Sequence, residues 1–217
     1  MFKQWQYFIA GSQVYMFKEY PKKVILKDGT EVILNLCTTA DKKRLLEFFT
    51  SLPREDRMFL KADVTDLTFI DNWVHAIDNQ TKIAVIAEKD GKIIAQANLR
   101  QEWYGWMRHV GEIRVIVAHE HQRKGLGTIL TREMFNQSLK RGLDKLEAFV
   151  MDNQIAAIKA FKRAGFRKEA ELKDHVMDLD GKKRNLIIMT NNVRRLMRKI
   201  NDLIREHELQ IEDQTPQ

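Results

Sequence analysis

The spacing of apolar and polar positions changes period several times along the chain, and each change marks an element. Residues 24–36, VILKDGTEVILNL, form two short apolar runs about Asp28-Gly29, a pair suited to the positive φ angles of a tight hairpin. Thr39 or Asp41 can cap a helix reaching about Thr50, with Leu45, Leu46, Phe48 and Phe49 as its apolar stripe. Pro53 permits a fresh helical turn, and Ile70, Trp73, Val74 and Ile77 predict a further helix over about residues 65–77. At Ile83 the pattern turns to strands. IAVIAE, the turn KDGK and IIAQANLR read as a central hairpin. An aromatic connection (Trp103, Tyr104, Trp106) leads to the strand EIRVIV, which ends at Val117.

The loop AHEHQRKGLG follows, then a helix from about Gly125 to Lys140, a strand over 143–151 and a helix over 155–163 with Gly165 as its C-terminal cap. Two strands about Asp180-Gly181 and a long final helix complete the series. The expected fold is mixed α/β (α+β), with a strand–loop–helix–strand–helix unit in its second half. Residues 1–20 read as an extension, 21–190 as one domain, and 191–217 as a basic amphipathic helix and tail.

Composition narrows the class. With 217 residues, 44% hydrophobic and 31% charged, the chain can bury one sizeable core and is neither disordered nor membrane-embedded in character. No apolar run approaches the roughly 20 residues of a spanning helix. Gln4, Gln6, Gly11, Ser12 and Gln13 interrupt any leader-like apolar segment near the start, so the expected location is cytoplasmic. The single Cys37 sits in an apolar run and reads as a small buried hydrophobe rather than a nucleophile. The net charge of +7 is matched by residues 182–205 alone, where eight basic residues face only Asp202.

The chemistry concentrates at Val115 to Thr128, V-I-V-A-H-E-H-Q-R-K-G-L-G-T. A strand runs into a two-glycine loop that opens a helix, whose first N–H groups are unpaired and attract phosphate. Gly125 and Gly127 lack the Cβ that would hold a diphosphate away, and Arg123 and Lys124 add positive charge. The segment is neither a Walker loop nor a three-glycine dinucleotide fingerprint. A lone G-x-G also serves as a tight turn with a close helix–strand contact.

The motif Q-x-x-G-x-G (Gln122, Gly125, Gly127), five residues after Val117, resembles the acetyl-CoA signature of the GNAT superfamily of N-acetyltransferases. A second element, residues 157–166 (AIKAFKRAGF), is similar to that family's A-I-x-L-Y-E-x-x-G-F stretch. The resemblance implies a mixed, mostly antiparallel sheet with a splayed parallel strand pair, flanked by helices. It also implies acetyl transfer from acetyl-CoA, as co-substrate and without a metal, directly to a primary amine. Val115 and Val117 would pair with the pantetheine arm, and the amides of Gln122, Arg123, Lys124, Gly125, Leu126, Gly127 and Thr128 would hold the diphosphate. The strands carrying Val117 and Leu146 would part to admit the thioester, leaving a main-chain N–H near Val115 to Val117 as oxyanion donor.

Two positions depart from the family pattern. The tyrosine that protonates the departing thiolate is Phe161 here, which can pack against the sulfur but gives no proton; the usual asparagine position holds Gln154, with Asn153 before it. A thiolate with pKa near 8.5 leaves tolerably without an acid. The amine is a greater obstacle, because at pH 7 only about one alkylammonium in a thousand is neutral, a cost of roughly 4 kcal/mol. Glu112 is the first candidate base, acting through water, with a salt bridge to Arg114 as its alternative role. His175 and His109, on segments that border the family's acceptor cleft, are the next candidates; His119 and His121 flank the phosphate loop. No metal-ligand spacing and no Ser-His-Asp or Cys-His arrangement is present.

The acceptor side would draw on Arg54, Glu55, Asp56, Arg57, Phe59, Trp73, Trp103, Tyr104 and Trp106, with Phe59 and Trp73 equally readable as core. Val193, Leu196, Met197, Ile200, Leu203 and Ile204 make one helical stripe suited to docking on the domain or a second copy, which gives a homodimer expectation. Its basic faces leave a nucleic acid as a weaker alternative. The rival functions are a non-catalytic acyl-CoA-binding regulator and a protein whose G-x-G loop takes another phosphorylated ligand.

Overall fold

The computed structural model describes residues 5–10, 13–18, 20–178 and 180–195. A two-stranded antiparallel sheet, β1 (Trp5–Ala10) and β2 (Gln13–Lys18), stands apart from the main sheet. This hairpin is absent from the sequence reading, in which Gln and Gly-Ser served only as breakers, although Gly11-Ser12 suits a two-residue connection.

The main sheet begins with β3 (Lys22–Ile25) and β4 (Glu31–Leu36), joined through Gly29 at φ 82°. Three helices follow, α1 (Lys42–Ser51), the single turn α2 (Arg54–Arg57) and α3 (Leu67–Asp78). The Asp66 carboxylate caps α3 by accepting from the Thr68 N–H. Next come β5 (Lys82–Lys89), β6 (Lys92–Gln101) and β7 (Val110–Val117), then α4 (Leu126–Lys140), β8 (Lys145–Met151), α5 (Ile155–Arg163), β9 (Arg167–Met177) and β10 (Lys183–Asn192). Strand order is β3-β4-β5-β6-β7-β8-β10-β9, and β7–β8 is the parallel pair in an otherwise antiparallel sheet.

The strands alternate their side chains between two layers. One face carries Val85, Ala97, Leu99, Ile113, Leu146 and Ala148, which pack with Leu126, Leu130 and Met134 of α4 and Phe161 of α5. The other buries Ala84, Ile86 and Ile93 under Leu45, Phe48 and Phe49 of α1 and Ile70, Trp73 and Val74 of α3. Trp73 is thus core, edge-on to Phe49 at 6.4 Å between ring centres, while Phe59 is half-buried. Cys37 belongs to the same layer, and burial pushes its thiol up to about 12. Val193 is buried where the described chain ends; Leu196, Met197, Ile200, Leu203 and Ile204 of the expected amphipathic helix lie outside the described residues. No helix among the described residues is long and apolar enough to cross a membrane.

Candidate functional site

The site is built around an incomplete pairing. β7 has β6 beside it throughout, from Ala95↔Val117 to Gln101↔Gly111. On its other side β8 pairs with Val110, Gly111 and Glu112 and no further. Beyond the Glu112↔Glu147 pair the two strands part, and β8 continues against β10. Backbone groups alternate sides along a strand. Ala118 donates its N–H to the Ile94 carbonyl at 2.9 Å, so the even-numbered residues of β7 face β6. Val115 and Val117, both named from sequence, therefore turn their N–H groups into the gap. At the foot of the gap stands Gly111, where a Cβ would come within 2.5 Å of Leu99 Cδ1 and 2.7 Å of Leu143 Cδ1. That tight packing fixes where the strands begin to part.

The loop between β7 and α4 closes the open end. A 3-10 turn over His119–His121 leads to Gln122, Arg123 at φ 62°, Lys124 and Gly125 at φ 94°, and α4 starts at Leu126. A left-handed residue immediately before the helix is what requires glycine at position 125. Leu126 and Gly127 open the helix, where N–H groups have no intrahelical acceptor, whereas Thr128 and Ile129 both donate to the Gly125 carbonyl at 3.1 Å. A Cβ on Gly127 would meet Val117 Cγ2 at 3.9 Å and Ala160 Cβ at 4.0 Å, ordinary contacts, so close helix–strand packing does not demand this glycine.

Two residues of the loop are engaged within the protein. Gln122 donates its backbone N–H to the His119 carbonyl (3.1 Å) and its side-chain amide to the Val117 carbonyl (3.1 Å) and Asp56 Oδ2 (3.4 Å). It ties the strand end to the loop and to α2, and its own amide is not free to hold a diphosphate. Lys124 pairs with Asp28 at 3.0 Å, which holds that carboxyl down at about 2, and its carbonyl accepts from the Lys27 N–H at 3.1 Å. The β3–β4 turn is thereby fastened to the loop. It also lays the Lys27 side chain over Gly125, within 3.4 Å of where a Cβ would be. Lys27 was not identified from sequence, since nothing in the spacing reveals that this hairpin meets a loop far along the chain.

Across the gap, Gln154 accepts from the Met151 N–H at 2.9 Å through its side chain and so caps β8, while Asn153 is exposed. Phe161 is buried, its ring 5.2 Å from that of Phe166.

On the α1/α3 side of the sheet, strand register aligns a row of charges, Lys82–Arg100–Glu112–Glu147. Glu112 accepts from Lys61 Nζ at 2.6 Å and lies 3.5 Å from Arg114. The expected Arg114 pair is present, joined by a lysine from the loop after α2. Lys61 also covers the Phe149 ring at 4.0 Å and lines a cavity of about 390 Å³ with Arg54 and Arg57. Glu147 adjoins Glu112 across the parallel pair; burial, then the Glu112 charge, raises its pKa. The sequence reading missed it because an outward Glu in a strand reads as solvated.

The histidines lie elsewhere. His109 is exposed at the opposite end of β7 from the loop, and its carbonyl accepts from the Asp144 N–H at 2.9 Å. His175 is exposed on β9 beside Asn185 of β10, five residues along from Thr190, which shares the Glu112 row, and β9 lies three strands from β7; at roughly 3.3 Å per residue and about 4.8 Å per strand it stands on the order of 20 Å from Glu112. His119 is mostly exposed, 3.6 Å from Asp56, and burial lowers the pKa of His121. Trp103, Tyr104 and Trp106 are exposed on the β6–β7 loop, with Arg141 over the Trp103 ring. No metal-binding group of His, Cys, Asp and Glu occurs among the described residues.

The fold recurs in known structures. A ribosomal-protein-alanine N-acetyltransferase from Brucella melitensis superposes with a TM-score of 0.64 at 21% identity, covering 73% of this chain and 98% of its own. The GNAT domain of an S. lividans protein gives 0.66 at 19%, covering 80% and 99%. An acetyltransferase from Salmonella typhimurium, solved with its cofactor acetyl-CoA, gives 0.64 at 19%, covering 76% and 95%. At such identities these likenesses speak for the fold. A sequence profile of the Acetyltransferase (GNAT) family matches residues 43–166, more than half of the chain, from α1 through the phosphate loop to the end of α5. The chain that builds this parted strand pair belongs to the GNAT acetyltransferase family, a family of acyltransferase enzymes.

Proposed function

We propose that this protein transfers an acetyl group from acetyl-CoA directly to a primary amine in a ternary complex. The observation that carries the reading is the unpaired edge of β7, where Val115 and Val117 face a gap whose open end is closed by Arg123 to Gly127. An extended arm with amide groups fits beside that edge as a strand would, and the start of α4 with Arg123 and Lys27 suits a diphosphate. Acetyl-CoA supplies the activated acyl group, and the chain supplies the rest. The Val115 N–H is the donor for the carbonyl oxygen as it gains charge. Glu112 and Glu147 flank the point where the strands part, and together they take up the proton of the attacking amine, directly or through water. Burial, then the adjacent Glu112 charge, raises the pKa of Glu147 and so makes that carboxylate the more ready acceptor.

A non-catalytic acyl-CoA-binding regulator draws on a different observation, the buried Phe161 in place of a proton-donating tyrosine. Calorimetric titration with acetyl-CoA, comparing wild type with Gly125→Glu, tests the cradle common to both. Release of free thiol with an amine present separates them. Micromolar binding lost in the variant, together with amine-dependent thiol release, is the expected outcome. Binding without release for any amine favours the regulator, and no binding by folded wild type overturns both. Cytoplasmic location and the use of residues 191–217 for self-association belong to the same reading.

A further inference from the structure

The charged row in front of the gap is unevenly satisfied. Its two middle members have partners, Arg100 with Glu102 and Glu112 with Lys61 and Arg114. The two end members do not. Among the described residues Lys82 makes no ion pair or hydrogen bond, and its ammonium rests 4.5 Å over the Trp73 ring. Glu147 likewise has no ion pair or hydrogen bond there. Lys82 and Arg100 line a cavity of about 230 Å³ that Asn72, Trp73 and Thr81 complete. An isolated ammonium in a partly buried pocket, next to a guanidinium, is costly unless an anion joins it. Burial, then the nearby Arg114 and Arg100, pull the Lys82 pKa down to about 7 against the smaller opposing pull of Glu112.

Resting on the acetyltransferase reading, we propose that the acceptor is an amine carrying a carboxylate several bonds away. Its amine meets the Glu112–Glu147 pair, and its carboxylate enters the pocket between Lys82 and Arg100. Neighbouring strands lie about 4.8 Å apart, so Lys82 and Glu112 stand roughly 10 Å apart and Glu147 one strand further. The α-carboxylate of a free amino acid is too close to its own α-amine to span this. An ω-amino acid, or a peptide amine with an acidic side chain two residues on, matches the spacing. The pocket on one side and the carboxylate pair on the other place opposite charges where such a molecule has them, which is complementarity of charge and of length.

The experiment compares matched pairs. One arm takes ω-amino acids from 4-aminobutanoate to 8-aminooctanoate against their carboxamides; the other takes the peptide Ala-Ala-Asp-amide against Ala-Ala-Asn-amide. The kcat/KM for acetyl transfer should favour the acid by about tenfold or more in at least one arm, as suits a charge-assisted hydrogen bond. The arm that responds identifies the source. Lys82→Met should abolish the preference and Lys82→Arg should restore most of it. Calorimetry in the presence of CoA gives a readout free of turnover, in which N-acetyl-6-aminohexanoate and the acetylated peptide should bind wild type more tightly than their neutral counterparts. At pH 8 their binding should take up protons, visible as heats that depend on the buffer, because the anion restores charge to Lys82. Equal kcat/KM and equal binding for acid and amide, or a preference that survives Lys82→Met, overturns the inference while leaving acetyl transfer standing. If no amine is acetylated, acetyl transfer itself falls, and the product-binding comparison still decides whether the pocket takes a carboxylate.

Discussion

The same strands present two opposite surfaces. Toward α4 and α5, strands β5 to β8 show Val85, Ala97, Leu99, Ile113, Leu146 and Ala148, a continuous apolar cluster. Turned over, they show Lys82, Arg100, Arg114, Glu112 and Glu147 beside the apolar positions that α1 and α3 cover. The first surface holds the domain together, and the second is where chemistry is affordable. Burying unpaired charge lowers stability, and the row carries that cost at Lys82, held over the Trp73 ring of α3. The parted strands connect the two surfaces, and on the proposed function a ligand is cradled from the α4 side with its reactive end toward the charged side.

That contrast can be broken most severely at the cradle. Gly125→Glu forces a side chain into a left-handed backbone and sets a carboxylate beside the phosphate position; acetyl-CoA affinity should fall on the order of 100-fold or more by calorimetry. Next in size is the double substitution Glu112→Gln with Glu147→Gln. It should lower kcat by roughly 10²-fold or more with little change in KM for acetyl-CoA, since it removes the proton acceptor and leaves the cradle. Either single change should cost less, because each carboxylate substitutes in part for the other.

Gly127→Ala sharpens the comparison because binding and stability should move in opposite directions. A Cβ there has room in the protein, so the helix should gain about 0.5–1 kcal/mol while acetyl-CoA binds about tenfold more weakly. The smallest effect concerns Lys82. Its pKa in the fold is about 7 against an ordinary 10.5. Between those values the unfolded chain holds a proton that the folded chain has released, so this group makes the wild type more stable as pH rises from 7 to 10.5 and less stable as it falls. Lys82→Met should therefore melt later than wild type at pH 6–7, by about 1 kcal/mol in stability, and the gap should narrow by pH 10. A gap that is constant with pH would mean that the ammonium is well solvated.

Much of the architecture was legible because it is periodic. The strand expected over 143–151 forms as β8 (Lys145–Met151), with Leu146, Ala148 and Val150 buried at alternate positions. The bounds of α5 could be read from its stripe and from Gly165, which adopts φ 87°. The turn into α4 was legible at Gly125, whose φ of 94° gives that glycine a backbone cause. What alternation does not contain is register between distant strands. Nothing in the local pattern says that Glu147 stands beside Glu112, or that the Asp28 hairpin clips onto Lys124, because those pairings arise from a crossover and from packing. His175 and His109 lie on elements that the family resemblance indicated, but the lengths of those elements carry them away from the parted strands.

The unpaired stretch of β7 is an edge inside a sheet rather than at its border. An exposed border strand invites any extended chain that reaches it, which is why proteins blunt such edges with charge, proline or bulges. An edge lodged between β6 and β8 admits only something thin enough to enter lengthwise, with peptide-like groups to offer and no side chains to catch on the walls. The slot therefore sorts by cross-section before any residue makes a specific contact. It can keep its hydrogen-bonding groups bare without becoming a site where one copy of the protein adheres to another.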